Sequence, residues 1–413
     1  MSTSDSDALG IRVFATLTDV PKEPVSQDPL GFAPSAERLA DVFAPGLTVN
    51  TRSVRYYQLL TAGLQLSANL NVSDPRSVVL RSERLWAMAS YLANPDRGRQ
   101  PGSGLAGITR VRDAARPENK RQRIDYRMFR GDGQARLGVW GLYRRSAERL
   151  LLVDGVEPTD LGTRLAHPFL ANLESHQLWR AVVGAAGTAS TGSLKGFGLC
   201  SGHFARVDRE SASAAWEALR LDPNRRATAK ALRAGKRSQD HLIERLIRMP
   251  QFKQSATAAT ALETMFLGVS RLFDAAVTLA EQGPVVDPTE VRDSPVLVGE
   301  LGKWRKVAAR RCDELELGGV DVTIAGLGRA IAQATDPWEA VMTLVDRHQE
   351  VQRTKGRQVW LDWHGGHLVR VAPNPNRGYD PFNARQVPRG HDFRLLNLQA
   401  LAIEVYQAGV PLK

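Results

Sequence analysis

Cysteine is scarce in this chain of 413 residues, which contains only Cys200 and Cys312. Two cysteines cannot build the disulfide framework of small secreted domains, so we expect a protein of the reducing cytoplasm. Long apolar runs are also missing, because no stretch approaches the roughly 20 apolar residues that span a bilayer. Residues 1–7 are polar and acidic, whereas a secretory signal needs a basic start and an apolar core. These absences predict a cytoplasmic protein with no membrane partner.

Basic residues outnumber acidic ones, and the excess is concentrated in three stretches of the chain. The formal net charge is +11 and the sequence pI is about 9.9. Residues 110–149 hold 12 basic and 5 acidic side chains, residues 225–253 hold 9 and 2, and residues 303–311 hold 5 and none. A clustered positive surface attracts a polyanion, because neutralising phosphates releases condensed counterions. We therefore expect a nucleic-acid partner, with double-stranded DNA as the first candidate.

The three basic clusters supply the candidate nucleic-acid contacts. Trp304 and Phe252 lie within or beside two of them, where we expect the rings to stack on bases or sugars. A short exposed helix from Ala227 with no packing role would present its charges on one side. The predicted contacts are Arg121, Arg123, Arg127, Arg130, Arg225, Arg226, Lys230, Arg233, Lys236, Arg237, Lys303, Arg305, Lys306 and Arg310. The alternative is that these side chains form only solvated helix faces.

Histidine and cysteine do not complete a catalytic or metal-binding signature. Cys200 and His203 have the spacing of half a zinc site, but zinc needs two more ligands. His364, His367 and His391 are candidate metal ligands or general bases. However, His364 and His367 flank a Gly-Gly turn, and we expect them to point into solvent with no acid to orient them, as a catalytic imidazole requires. We therefore predict no metal site at these residues.

Two further segments resemble a phosphate-binding loop and a nuclease motif, but neither matches the full pattern. Residues 191–198 have the glycines and lysine of a phosphate-binding loop, but the second glycine follows the lysine and no Ser or Thr comes next. Asp293 with Glu300 and Lys303 approximates the Asp and Glu-x-Lys pattern of restriction-like nucleases, with a spacing that is off by one residue. We therefore predict no catalytic residue and no cofactor.

Apolar periodicity predicts a mainly α, multi-domain helical protein. The clearest exception is a β-hairpin over 358–371, in which two short apolar runs surround a Gly-Gly pair. Residues 135–173 predict a helix, a short strand, an Asp154-Gly155 turn and a second helix capped by Thr159. This order is compatible with a winged-helix unit or with two helices of a larger bundle.

These elements suggest five segments along the chain. A Gly/Ser/Thr-rich stretch at 188–193 predicts a flexible linker, and the long apolar helix 256–281 predicts either core or an exposed interface. The segments are an extended arm (1–34), a helical region (35–100), a winged-helix-like unit (101–180), a helical basic region (181–350), and a β-hairpin with a closing helix (351–413).

The segment 43–57, FAPGLTVNTRSVRYY, resembles the N-terminal signature of uncharacterised bacterial proteins that are often encoded beside anti-phage defence genes. The stretches 137–143 and 159–162 also recur in that group. The resemblance implies a subunit of a bacterial defence assembly and brings no catalytic residues. Within the segment, we expect Arg52 and Arg55 to pair with a helix face or to bind phosphate.

Two functions follow from these observations. The first is a non-enzymatic DNA-binding subunit of a bacterial multi-protein anti-phage defence assembly, which binds mainly through phosphate contacts. The second is a structural scaffold whose basic surfaces dock acidic protein partners. A nucleic-acid-processing enzyme would need a convergent acidic cluster that no sequence pattern indicates.

Overall fold

The protein is described by a computed structural model, which is mainly helical, as predicted. The described residues form 17 α-helices and seven short strands. None of the described helices is long and apolar enough to cross a membrane. The description covers residues 28–48, 50–99, 111–112, 123–125, 138–183, 188–232, 238–283, 285–320, 322–372, 391 and 393–412.

The helices are numbered in chain order. Up to residue 201 they are α1 (Ala33–Phe43), α2 (Val54–Asn69), α3 (Pro75–Ala93), α4 (Pro95–Arg99), α5 (Val139–Arg149), α6 (Asp160–Ser175), α7 (Trp179–Val183) and α8 (Thr191–Ser201). Beyond it they are α9 (Arg209–Arg220), α10 (Pro223–Leu232), α11 (Gln239–Ile247), α12 (Lys253–Gln282), α13 (Pro288–Asp293), α14 (Pro295–Leu317), α15 (Val322–Gln333), α16 (Pro337–Thr354) and α17 (Leu395–Gln407).

The strands form three small antiparallel sheets. The pairs are β1 (Arg123–Asp125) with β4 (Thr188–Ser190), and β2 (Val153–Asp154) with β3 (Glu157–Pro158). The third sheet has the order β5 (Val285–Val286), β7 (His367–Arg370), β6 (Leu361–His364). Its β6–β7 hairpin confirms the prediction: Gly365 and Gly366 have φ of 59° and 82°, a left-handed conformation that glycine adopts without steric cost.

Two hydrophobic cores hold the helices together. The first core collects residues of α2, α3, α5, α6, α8 and α9, including the buried Trp86 and Phe197. The second core surrounds α12 and α14–α16, with Phe273 buried in it. Helix α1 belongs to the second core, whereas α17 supplies Leu395 to the second and Leu398 to the first. The first core thus draws on residues 44–229 and 398–412, and the second on residues 30–43 and 232–395.

Helices α5 and α6 with the β2–β3 hairpin keep the predicted order of elements. Thr159 caps α6 as expected, accepting a hydrogen bond from the Gly162 amide at 3.2 Å. Both α5 and α6 pack on α2, and α6 also packs on α9. These elements are therefore built into the first core.

The flexible linker expected at 188–193 is wrong. Residues 188–190 form β4, and Ser190 caps α8 by accepting a hydrogen bond from the Ser193 amide at 3.0 Å. Helix α8 packs along α3, where a Cβ on Gly198 would lie 2.0 Å from the Ala89 carbonyl oxygen. Glycine lets the two backbones approach closely, and the small residues serve helix packing. The segment 191–198 is thus a helix, with Lys195 exposed on it.

The long apolar helix α12 is core. Leu262, Met265, Val269 and Phe273 are fully buried along it, and it packs on α14, α11 and α16. The alternative of an exposed interface on this apolar stripe is therefore wrong.

Candidate functional site

Part of the predicted basic surface falls outside the description. This holds for Arg121, Arg127, Arg130, Arg233, Lys236 and Arg237. Arg123 lies in β1, and its side chain is outside the description as well.

Arg225 is a structural residue. It is buried, and its guanidinium donates to the carbonyl oxygens of Leu219 at 2.9 Å, Ala218 at 2.8 Å and Pro45 at 2.7 Å. Burial lowers the pKa of Arg225, although Asp222 opposes this effect. The guanidinium ties the end of α9 to the turn before α2, so the prediction that it contacts nucleic acid at the surface is wrong.

The helix that carries Arg225 has a packing role that the sequence analysis did not predict. Ala229 and Leu232 are buried on α10, and α10 packs against α17. Arg226 is exposed and Lys230 is half-buried. Neither side chain has a polar partner in the part of the chain that the structure describes.

Glutamate side chains form ion pairs with most of the basic side chains at 303–311. Lys303 Nζ lies 2.6 Å from Glu300, and Arg310 and Arg311 lie 2.8 Å and 2.7 Å from Glu314. Both acids are one helical turn away on α14 and so lie outside the acid-free window of the sequence. The local absence of acids therefore did not predict an unpaired positive surface.

Arg305 is bound to backbone carbonyl oxygens, and the two aromatic residues of the basic clusters are buried. The Arg305 guanidinium donates to the carbonyl oxygens of Ala332 and Ala334, while Lys306 is exposed with no polar partner among the described residues. Trp304 is 2 % exposed and donates to the Gly328 carbonyl, and Phe252 is fully buried. The expected stacking of these two rings on nucleic acid is therefore wrong.

The histidines and cysteines that the sequence offered as candidates do not lie together in the structure. His391 Nδ1 lies 2.9 Å from a Glu263 oxygen that also accepts a hydrogen bond from the His391 backbone amide. His367 lies 3.8 Å from Asp287 at the exposed hairpin. Cys200 is exposed on α8. Among the described residues, no three His, Cys, Asp or Glu side chains are grouped to hold a metal.

A cavity of about 1100 Å³ opens between residues 203–209 and the end of α17. Arg206 and Arg209 line it, are exposed, and have no side-chain polar partner within the described ranges. Phe204 and Tyr406 lie beside them, half-buried and 60 % exposed respectively. We call these four side chains the cavity mouth.

A second cavity, of about 440 Å³, shares His203 and Glu404 with the first. Tyr56, Tyr143 and Glu83 also line it, and we call it the inner cavity. The Tyr143 hydroxyl donates to the Asn50 carbonyl at 2.6 Å, and burial raises its pKa well above the usual value, so the phenol stays protonated.

Aromatic rings connect the two cavities. Tyr143 stacks on Tyr56 with ring centres 5.0 Å apart and planes at 24°. His203 lies 5.7 Å from Tyr56 and 4.9 Å from Phe204. The rings thus form a row from the inner cavity to the cavity mouth.

Arg55 fixes the loop that carries the cavity mouth. Its buried guanidinium donates to Gln58 at 2.6 Å and to the carbonyl oxygens of Cys200 and Arg206, and it lies 3.7 Å from Asp208. Burial lowers the pKa of Arg55, and Asp208 and Glu404 oppose this effect. Arg55 therefore pairs internally, one of the two roles expected for it.

Arg52 also pairs internally. Its Nε donates to Asn397 on α17 at 3.0 Å, while its backbone amide donates to the Tyr143 hydroxyl at 3.3 Å. Arg52 thus joins α17 to the segment before α2, beside the inner cavity.

Glu404 joins α17 to the start of α2. Its Oε2 accepts from the Val54 amide at 2.7 Å and from the Ser53 hydroxyl at 3.3 Å. Burial raises the pKa of Glu404 to about 7, and these donors and Arg55 oppose the rise. A carboxyl that titrates near neutrality can accept or donate a hydrogen bond under physiological conditions.

The sequence analysis missed Arg206, Arg209 and Glu404. The signal for the first two is the compact run 203–209, HFARVDR, which places Phe204, Arg206 and Arg209 close together in sequence with a single acid. Glu404 lies about two hundred residues away in sequence, and only the docking of α17 brings it to the site. No family model, curated protein or solved structure matches the chain.

Proposed function

We propose that this chain is a non-enzymatic DNA-binding subunit of a bacterial multi-protein assembly for anti-phage defence. The cavity mouth carries the proposal of DNA binding. Arg206 and Arg209 are exposed without side-chain partners in the described residues, and Phe204 and Tyr406 are beside them. Guanidinium groups bind phosphates, and aromatic rings stack on unpaired bases.

The acids near the two arginines are engaged elsewhere. Asp208 caps α9 by accepting from the Ser211 amide at 2.7 Å, and Glu210 lies 3.3 Å from His167. The positive charge of Arg206 and Arg209 is therefore not neutralised by an ion pair with either neighbour. Of the predicted contacts, Arg226, Lys230 and Lys306 remain exposed or half-exposed and supply additional phosphate contacts in this proposal.

The winged-helix-like unit is a less favourable DNA contact. Glu148, Asp154 and Asp160 line the groove beside its β2–β3 turn. Carboxylates repel phosphates at close range. A winged-helix role for this unit stays a prediction, and the cavity mouth is the contact that we propose to test first.

The test is fluorescence anisotropy with labelled duplex and single-stranded DNA at two salt concentrations. We expect binding at low salt, and we expect Arg206→Ala/Arg209→Ala to flatten the slope of log affinity against log salt by up to about 2 for duplex DNA. The matched control Arg76→Ala/Arg220→Ala removes two exposed arginines elsewhere and should leave the slope unchanged. Absence of binding at low salt would overturn the proposal, and equal effects of both variants would remove the cavity mouth from it.

The proposed place in a defence assembly rests on the resemblance of residues 43–57 and 137–143. We expect genes on either side to encode an ATPase or nuclease, and we expect the chain to co-purify with such a product. Co-purification that is unaffected by nuclease treatment would favour the scaffold alternative over DNA binding. A chain that purifies alone from its native host would contradict this part. The scaffold alternative loses one argument, because the apolar stripe of α12 is buried.

A further inference from the structure

We infer that the two cavities together hold one unpaired nucleotide, with its phosphate at Arg206 and Arg209 and its base in the inner cavity. This inference rests on the proposed function and specifies the part of DNA that the site recognises. It is based on the position of two arginines, Arg206 and Arg209, at a cavity that shares His203 and Glu404 with the inner cavity.

The inner cavity has the size and lining of a base-binding site. Its volume of about 440 Å³ lies within the roughly 300 to 1,000 Å³ of small-molecule sites. Tyr56 and Tyr143, which are both buried and stack on each other, line it, and Leu142 adds an apolar wall. A base is a flat ring with a polar edge, so it needs this combination of aromatic faces and a few polar groups.

Glu404 is the polar group placed to meet the base edge. It lines both cavities, while one of its oxygens, Oε2, is occupied by the Val54 amide and the Ser53 hydroxyl. No hydrogen bond to its Oε1 occurs within the described residues. In this inference, Oε1 is the atom that forms a hydrogen bond with the base edge.

The site is held in shape before a ligand arrives. Arg55 binds the carbonyl oxygens of Cys200 and Arg206, which fixes the loop between them, and Trp86 Nε1 donates to the Ser201 carbonyl at 2.8 Å. A preformed site loses less conformational entropy on binding. A base inside a duplex cannot enter such a cavity, so we expect single strands, ends or extruded nucleotides to bind better than continuous duplex.

The first experiment measures calorimetric binding of deoxyadenosine monophosphate, deoxyadenosine and inorganic phosphate to the full chain. We expect the monophosphate to bind at least tenfold more tightly than either fragment. Arg206→Ala/Arg209→Ala should remove this advantage and leave deoxyadenosine binding unchanged, whereas Arg76→Ala/Arg220→Ala should change neither. No binding of the monophosphate, or equal binding of monophosphate and phosphate, would overturn the inference.

Two variants test the inner cavity. Leu142→Trp extends a side chain from its wall and should weaken monophosphate binding at least tenfold without changing phosphate binding. Glu404→Gln, a nearly isosteric change, should alter the ratio of affinities for deoxyadenosine and deoxycytidine monophosphates. Tryptophan-fluorescence melting checks that each variant is folded. If folded variants of both kinds bind the two monophosphates as the parent does, the base is not in the inner cavity and the inference is wrong.

A polymer experiment separates this inference from the proposed function. Closed circular duplex, which has no ends, is compared with single-stranded DNA of the same length by anisotropy competition. If duplex binds and neither single strands nor mononucleotides bind better, the inference fails while DNA binding stands. Mononucleotide binding without binding of any polymer would support the site and overturn the DNA-binding function.

Discussion

Replacing Glu404 with glutamine is expected to stabilise the protein at neutral and alkaline pH. The Glu404 carboxyl accepts hydrogen bonds from Val54 and Ser53, and a glutamine oxygen can keep both. Burial raises the pKa of Glu404 from 4.5 to about 7, so ionisation of this side chain opposes folding. Glutamine has the same shape and does not ionise, and it therefore removes this cost.

The magnitude and the pH window follow from the two pKa values. Because the folded pKa lies above the unfolded one, the contribution of Glu404 to stability is complete below pH 4.5 and is lost as the pH rises through about 7. At about 1.4 kcal/mol per pH unit, the difference between the two proteins grows to about 3 kcal/mol above pH 7. Below pH 4.5, the neutral carboxyl and the amide should be nearly equivalent.

The measurement is urea and thermal unfolding of both proteins between pH 4.5 and 8.5, followed by tryptophan fluorescence. Comparing the two proteins at each pH cancels the other titrating groups, including Asp274, whose pKa burial also raises to about 7, and His348, whose pKa burial lowers to about 4. A gain for Glu404→Gln that appears only above pH 5 supports the reasoning. A constant difference at every pH, or a loss above pH 7, refutes it.

Three further changes test packing and buried hydrogen bonds by urea unfolding. Trp304→Ala should cost roughly 3 to 5 kcal/mol, since it empties a buried site in the second core, and a loss below 1 kcal/mol would contradict this burial. Arg225→Ala leaves three carbonyl oxygens without their donor and should cost about 2 to 4 kcal/mol, while its neighbour Arg226→Ala should stay within about 0.5 kcal/mol. Gly198→Ala places a Cβ 2.0 Å from the Ala89 carbonyl oxygen and should separate α8 from α3, so a variant as stable as the parent would show that this contact is looser.

Local patterns predicted local structure well. The periodicity of the long helix α12, the Thr159 cap and the Gly365-Gly366 turn each depend on residues within one or two turns, and all three are present. The linker expected at 188–193 was wrong for a related reason. Small residues favour a flexible loop in isolation, but here residues 188–190 pair with β1 and Ser190 caps α8, and the local sequence does not reveal the distant strand.

Surface charge was harder to predict because helix geometry pairs residues across a turn. Glu300 and Glu314 neutralise Lys303 and Arg310 from positions three and four residues away. Counting charges on a helical wheel, rather than in a linear window, would have revealed these pairs. The cavity mouth combines Phe204, Arg206 and Arg209 with Tyr406, and no spacing rule connects positions so far apart in the chain.

The shared helix α17 has a consequence for the order in which the chain folds during synthesis. Leu395 completes the second core, and the residues from Leu398 to Leu412 complete the first. Helix α17 packs on α9 and α10 as well as on α2, so the apolar surfaces that it covers remain open while more than a hundred further residues are added. Such a nascent chain depends on chaperones or a partner to avoid aggregation. A stop codon before residue 395 should therefore yield an insoluble product rather than a shorter folded protein.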